Sequence, residues 1–80
     1  MKLNYAVGDT IRTLRQEKNM TLRHLASKSH IALGYLSEVE RGHKDASSQI
    51  LESIANGLDL TTVELVGEIY DYLKGYTDVR

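Results

Sequence analysis

The sequence predicts an all-α protein of five helices that form one domain. Apolar residues recur at helical spacing along the chain, and Ser or Thr precedes several of these runs as a helix cap. Proline, which interrupts helices, is absent from all 80 residues. A chain of this length has room for one hydrophobic core and contains no low-complexity linker. We therefore expect residues 1–80 to form a single domain without strands.

The apolar spacing and the capping residues place the helices. Thr21 and Ser47 are expected to cap helices 2 and 4. Thr61, with Glu64 three residues later, has the pattern of a capping box at the start of helix 5, and Gly75 is expected to end that helix. The expected bounds, in chain order, are about Tyr5–Lys18, Leu22–Ser29, Leu33–Arg41, Ser48–Gly57 and Thr62–Lys74. The residues expected in the core are Val7, Ile11, Leu14, Leu22, Leu25, Ala26, Leu36, Val39, Ile50, Leu51, Ile54 and Leu58.

Residues 21–42 form the most informative stretch, because two short helices are predicted there with a tight turn between them. Gly42 ends the second of these helices. His30 lies in the turn, and histidine tolerates the left-handed conformation better than most residues do. Ala32 cannot cap helix 3 with its side chain, at a cost of about 1 kcal/mol. Two helices in this arrangement place the second one in the major groove of DNA.

Charge is distributed unevenly along the chain. Residues 1–44 carry eight Lys and Arg against four Asp and Glu, whereas residues 45–80 carry two against seven. The net charge of −1 therefore combines a basic amino-terminal half with an acidic carboxy-terminal half. The basic half, which contains the two short helices and all three histidines, is the side expected to face phosphates.

Other classes of protein fit the sequence poorly. The chain has no cysteine and no apolar run long enough to span a bilayer, so we expect a cytoplasmic protein at the nucleoid, without contact with a membrane. His24 and His30 are six residues apart and lie on different helix faces, unlike a metal-binding pair. No nucleophile elbow or glycine-rich phosphate loop is present. We expect neither an enzyme nor a protein with a metal or another cofactor.

Two stretches resemble the DNA-binding domain of the Cro and cI repressor-like (XRE) family: MTLRHLA at residues 20–26 and GYLSEVERG at residues 34–42. The longer run GYLSEVERGHKDASS is similar to actinobacterial regulators of Clp protease genes. The resemblance extends without a gap from about Val7 to Leu65 and includes LA at 25–26, ERG at 40–42 and IA at 54–55. It implies a compact helix-turn-helix domain that regulates transcription.

The resemblance also implies which residues contact DNA. It places the amino-terminal end of helix 3 in the major groove. The base-reading positions are then Ala32, Leu33, Gly34, Ser37 and Glu38. The candidates for contacts with phosphates are Arg23, Lys28, Tyr35, Arg41, His43 and Lys44. In the family, the positions of Arg15 and Glu40 form an ion pair that ties helix 1 to helix 3, and we expect this pair here.

Helix 5 has an apolar face that is either additional core or a subunit interface. Its members are Val66, Ile69, Tyr70, Leu73 and Tyr76. The tyrosines favour an interface, because an amphipathic ring suits a partly wet surface. We expect a homodimer that binds a double-stranded DNA operator. Two alternatives stay open: an antitoxin-type module with a toxin partner, and the controller protein of a restriction-modification system. Contact with RNA polymerase is also left open.

Overall fold

The computed structural model describes the backbone of residues 2–78 and the side chains of residues 2–75. In this part of the chain there are five helices and no strand, which confirms the predicted fold class. They are α1 (Leu3–Glu17), α2 (Leu22–Ser29), α3 (Leu33–Glu40), α4 (Ser48–Gly57) and α5 (Thr62–Asp78). The expected end of the last helix was wrong, because α5 continues through Gly75. A glycine inside a helix costs about 1 kcal/mol relative to alanine, which is too little to end a helix by itself.

The capping residues form the hydrogen bonds that the sequence predicts. The hydroxyl groups of Thr21 and Ser47 each accept the backbone N–H three residues later, at 3.0 and 3.2 Å. At the start of α5, the Thr61 N–H donates to Glu64 Oε1 at 2.8 Å, and the Glu64 N–H donates to Thr61 Oγ1 at 3.1 Å. These bonds satisfy N–H groups that have no partner inside their own helix.

A residue in the left-handed conformation follows each of the first four helices. Asn19, His30, Gly42 and Asp59 have φ angles of 57°, 56°, 78° and 59°. The next residue in each case donates its N–H to the carbonyl five positions back, at distances of 2.9–3.0 Å. These are Schellman motifs, which satisfy the last carbonyl groups of a helix and turn the chain sharply. The predicted left-handed turn at His30 is thus one of four.

The residue after each left-handed position is apolar in three of the four turns. Met20 is buried, and Ile31 and Leu60 pack against the core. An apolar contact at this position is a common part of the motif. The fourth turn, after α3, instead carries His43, which is exposed. The turn that follows α3 therefore points a polar side chain toward solvent.

One core holds all five helices together. The helix α1 packs against α3 and α5, whereas α2 packs against α3 and α4, and α4 also contacts α5. Ile54 of α4 and Leu58, directly after its end, are fully buried as predicted, but Ile50 and Leu51 are only half-buried. The largest fully buried side chains are Ile11, Leu25, Leu36, Val39, Ile54, Leu58 and Leu65. Each of the five helices contributes to this list, so removing any one of them opens the core.

The backbones of α1 and α3 come very close together at Gly8, where α1 crosses the end of α3. A Cβ atom added to Gly8 would lie 2.3 Å from the carbonyl oxygen of Val39 and 2.6 Å from that of Glu40. Both are backbone atoms and cannot move without shifting the helix. The absence of a side chain at this position therefore sets the distance between α1 and α3.

We predict that Gly8→Ala destabilises the protein by about 1–3 kcal/mol, the usual cost of overfilling a packed contact. Urea unfolding followed by circular dichroism measures this loss. Gly75→Ala is the matched control, because a Cβ there meets nothing within 4 Å. The control is expected to unfold at the same or a slightly higher urea concentration. Equal stability of the Gly8 variant and the unsubstituted protein would contradict the close contact.

Candidate nucleic-acid interface

The two faces of α3 have different surroundings. On the inner face, Leu36 and Val39 are fully buried in the core. On the outer face, Ala32 and Gly34 are exposed at the amino-terminal end of the helix. The left-handed turn at His30 brings the chain from α2 into α3, and Ala32 forms no side-chain capping bond, as expected. The exposed positions at the start of α3, Ala32 and Gly34, are therefore accessible to a second molecule.

The five candidate base-reading residues differ in how accessible they are. Ala32 and Gly34 are exposed, whereas Ser37 and Glu38 are half-buried. Leu33 is half-buried and packs against the core. Much of its side chain therefore serves to hold the start of α3 in place, and only the remaining surface is available to a thymine methyl.

Glu38 lies among candidate phosphate-binding residues at the end of α3. Its carboxylate forms an ion pair with the guanidinium of Arg41. His43 Nδ1 is 3.7 Å from Glu38 Oε1, the same oxygen that Arg41 contacts. A candidate base reader and two candidate phosphate contacts thus form one cluster.

Tyr35 has a partner inside the protein. Its hydroxyl donates to the carbonyl oxygen of Asp45 at 2.8 Å, and the Asp45 carboxylate accepts from Asn4 Nδ2 at 2.5 Å. The single O–H of Tyr35 is therefore used to attach the loop between α3 and α4, rather than being open to a phosphate. Sequence reasoning missed Asp45 and Asn4, because no local pattern links residues 41 positions apart.

The remaining candidate cations are located on the surface. Arg23 and Lys44 are exposed on α2 and on the loop after α3. Lys28 Nζ lies 3.2 Å from Asp59 Oδ2, in the turn between α4 and α5. Lys28 therefore has an anionic partner in the protein itself, with which a phosphate must compete.

Arg15 and Glu40 form the bidentate ion pair that the family resemblance implied. Arg15 Nε and Nη2 lie 2.8 and 2.9 Å from the two carboxylate oxygens of Glu40, and Nη1 donates to the Met20 carbonyl at 3.0 Å. The side chains are only 13% and 5% exposed. The hydrogen bond to Glu40 raises the pKa of Arg15. The stabilisation from this shift is complete below the ordinary pKa of arginine and is lost only at more alkaline pH.

A family model described as helix-turn-helix matches residues 11–65, which include α2, α3 and α4. The chain belongs to the Cro/C1-type helix-turn-helix family of DNA-binding transcription regulators. The matched region contains the exposed first turn of α3 and the cluster around Glu38.

Two curated members of this family show the extent of the similarity. The transcriptional regulator ClgR of Mycobacterium tuberculosis is 44% identical over 54 residues, which are 68% of this chain and 48% of ClgR. The regulator SinR of Bacillus subtilis is 35% identical over 66 residues, which are 81% of this chain and 60% of SinR. The chain thus spans about half the length of these curated relatives. Both are transcription regulators by name, a non-enzymatic class of protein.

Solved structures show the same fold. The clp gene regulator ClgR from Corynebacterium glutamicum aligns with a TM-score of 0.84 and 35% identity, over 98% of this chain and 85% of that chain. The wild-type restriction-modification controller protein C.Esp1396I aligns with a TM-score of 0.87 and 29% identity, over 94% and 97%. The similarity to both extends beyond the helix-turn-helix unit to nearly the whole of this chain.

The described residues offer neither a metal site nor a membrane-spanning helix. No group of three or more His, Asp or Glu side chains there is arranged to hold a metal ion. None of the helices in that part of the chain is both long and apolar enough to cross a membrane.

We predict that Arg15→Ala destabilises the domain by about 3–5 kcal/mol, because it leaves the buried Glu40 carboxylate without a cation. Arg12→Ala is the matched control, since Arg12 forms an exposed ion pair with Asp9 on the same helix. An exposed pair contributes at most about 1 kcal/mol. Urea unfolding of the two variants compares these losses. Similar small losses for both would contradict a structural role for the Arg15–Glu40 pair.

Proposed function

We propose that this chain is a sequence-specific transcription regulator that binds double-stranded DNA as a homodimer, with α3 in the major groove. The observation that supports this proposal is the asymmetry of α3. Its inner face is buried and its end is fixed by Arg15 and Glu40, while its first turn is exposed in a basic half of the chain. A rigid helix with one accessible end is suited to reading base edges.

Selection of bound duplexes from a random pool tests this function. The chain is expected to enrich a two-fold symmetric sequence, whose half-sites are about 34 Å apart on one face of the duplex. Mapping of bound sites in the cell then identifies the regulated genes. Failure to enrich any sequence would contradict specific recognition.

The accessible residues support recognition of the base sequence through few direct hydrogen bonds between side chains and base edges. Ala32 can contact a thymine methyl, and Gly34 lets the helix backbone come close to the base edges. Glu38 is suited to accepting a hydrogen bond from cytosine N4, once its carboxylate is turned toward a base. Because this set is small, sequence-dependent DNA shape is expected to supply part of the specificity.

We predict that Gly34→Ala weakens binding to the selected operator at least about tenfold, because a methyl group then separates the helix backbone from the bases. The free protein should be equally or more stable, since a Cβ at Gly34 meets nothing within 4 Å and alanine favours helix. Fluorescence anisotropy measures affinity for the operator and for a mixed-sequence duplex.

Lys44→Ala is the comparison for Gly34→Ala. It should weaken binding to both duplexes alike and reduce the salt dependence by up to about one unit of slope, as expected for a phosphate contact. If Gly34→Ala also weakened binding to both duplexes equally, the backbone at Gly34 would not take part in reading the sequence.

The homodimer is supported by an exposed apolar face on α5. Val63, Val66 and Tyr70 are 81%, 50% and 60% exposed and lie at positions i, i+3 and i+7 of the helix. Two residues of the expected face are directed inward instead, because Ile69 is buried in the core and Leu73 packs against it. The side chain of Tyr76 lies outside the described residues. The proposed interface therefore centres on Val63, Val66 and Tyr70.

We predict that Val66→Glu converts a dimer into a monomer, because two-fold symmetry brings the added charge close to its own copy across the interface. Gln16→Glu adds the same charge at an exposed position of α1 and should leave the dimer intact. Light scattering measures the mass of each variant, and operator binding should weaken with the loss of the dimer. Substitution is a cleaner test than removal of the end of α5, since truncation also removes Ile69 from the core. A stable Val66→Glu dimer would place the interface elsewhere.

A second candidate function is control of a restriction-modification system. The extent of the alignment with the controller protein C.Esp1396I, 97% of whose length this chain covers, favours it. A neighbouring methylase or nuclease gene, together with binding of this chain to the promoter of its own gene, would support this function. Co-purification with a stoichiometric small protein would instead indicate an antitoxin.

A further inference from the structure

The contacts of Glu38 conflict with the functions proposed for it and for its neighbours. A carboxylate that reads a cytosine must face the base edge, and an arginine that binds the DNA backbone must face a phosphate. In the free chain, the Glu38 carboxylate and the Arg41 guanidinium contact each other instead. His43 approaches the same carboxylate oxygen to 3.7 Å. DNA therefore cannot engage these three side chains in the way proposed without breaking this cluster.

The backbone at the end of α3 brings the cluster together. The Gly42 N–H donates to the Val39 carbonyl at 3.0 Å, and the His43 N–H donates to the Glu38 carbonyl at 2.9 Å. This turn folds the chain back over the last turn of α3, so that His43 comes to lie beside Glu38. At the equivalent position of the three other turns, the residue is apolar and packs inward. Here the same backbone geometry presents an imidazole ring to a carboxylate at the surface.

Exposure distinguishes this cluster from the other ion pair of α3. The Arg41 side chain is 57% exposed, whereas Arg15 and Glu40 are almost completely enclosed. Solvent screens an exposed pair and makes it weak, so that a competing anion can replace either partner. A phosphate presents the same kind of charged oxygens to a guanidinium as a carboxylate does. The end of α3 thus carries one buried and stable ion pair, Arg15–Glu40, and one exposed ion pair, Glu38–Arg41, that an external anion can replace.

We propose that Glu38 is an internal counterion that exchanges partners when DNA binds. This inference rests on the proposed DNA-binding function and concerns how specificity arises in it. A DNA phosphate takes the place of the carboxylate at Arg41 and His43, and the released Glu38 turns toward the base edge. On a site that offers a cytosine N4 donor, the carboxylate gains a new partner. On other sites it is left next to phosphates without a cation, so that non-specific binding is weakened.

Binding to a mixed-sequence duplex of 20 base pairs tests the exchange, in a cycle of Glu38→Gln, Arg41→Ala and the double variant. Glutamine keeps the shape of Glu38 and removes its charge. Glu38→Gln is expected to raise affinity for this duplex about fivefold at low salt, the effect of one charge at about 4 Å in water. The gain should be smaller in the Arg41→Ala background, because the competition for the guanidinium is then absent and only the repulsion between the carboxylate and the phosphates remains.

Glu17→Gln is the matched control, because it removes one negative charge from an exposed position of α1. Glu17 is nine residues beyond Gly8, or about 14 Å along the helix from the contact with α3. At this distance the Coulomb effect of one charge on phosphates near Arg41 is below about a third of that at about 4 Å, so the gain should be much smaller even at low salt. Thermal unfolding by circular dichroism verifies that each variant is folded.

The outcomes separate the exchange from the proposed function. An unchanged or lower affinity of Glu38→Gln would overturn the exchange, as would an equal gain in the Arg41→Ala background. A gain of the same size from Glu17→Gln would assign the effect to net charge and would also overturn it. If the unsubstituted chain bound no duplex, this result would contradict both the proposed function and the exchange.

Discussion

The orientation of α3 depends on the ion pair between Arg15 and Glu40, because this pair joins α1 to the end of α3 inside the protein. Both oxygens of the carboxylate are used, and the third nitrogen of the guanidinium donates to the carbonyl of Met20 in the loop between α1 and α2. Next to the pair, Gly8 lets the two helix backbones come into contact. Since Leu36 and Val39 are also buried, α3 has little freedom to rotate or slide. The base reading proposed for α3 needs this rigidity, because it depends on placing a few side chains accurately.

The charges on the outer surface are held much less firmly than this internal pair. Glu38 contacts Arg41, and Lys28 contacts Asp59, in ion pairs that solvent reaches. Such pairs contribute little to the stability of the fold, so they can be replaced at small cost. The domain therefore separates two electrostatic roles. Buried charges fix the position of α3, whereas exposed charges form weak pairs that an external anion, such as a phosphate in the proposed complex with DNA, can replace.

The sequence predicted those features that depend on residues within one helical turn of each other. The caps at Thr21 and Ser47, the left-handed turn at His30 and the bounds of α2 and α4 are all of this kind. The partner of Lys28 could not be predicted, since Asp59 is 31 positions away and no local pattern connects the two. For the same reason, the contacts of Asp45 with Asn4 and Tyr35 could not be predicted. The Arg15–Glu40 pair is also distant in sequence, and only the family resemblance indicated it.

Helical spacing identified the apolar residues of α5 but could not assign each of them to the core or to the surface. Ile69 and Val66 both fit an apolar face, yet the first is buried in the core and the second is exposed. A further contact joins α5 to α1, since the Tyr72 hydroxyl donates to Asp9 Oδ2 at 2.8 Å. Through Gly8, α1 is in turn packed against α3. If α5 forms the dimer contact as proposed, α1 is the element that connects the subunit interface to α3, the proposed recognition helix. The spacing of the two recognition helices would then be set by contacts within each subunit as much as by the interface itself.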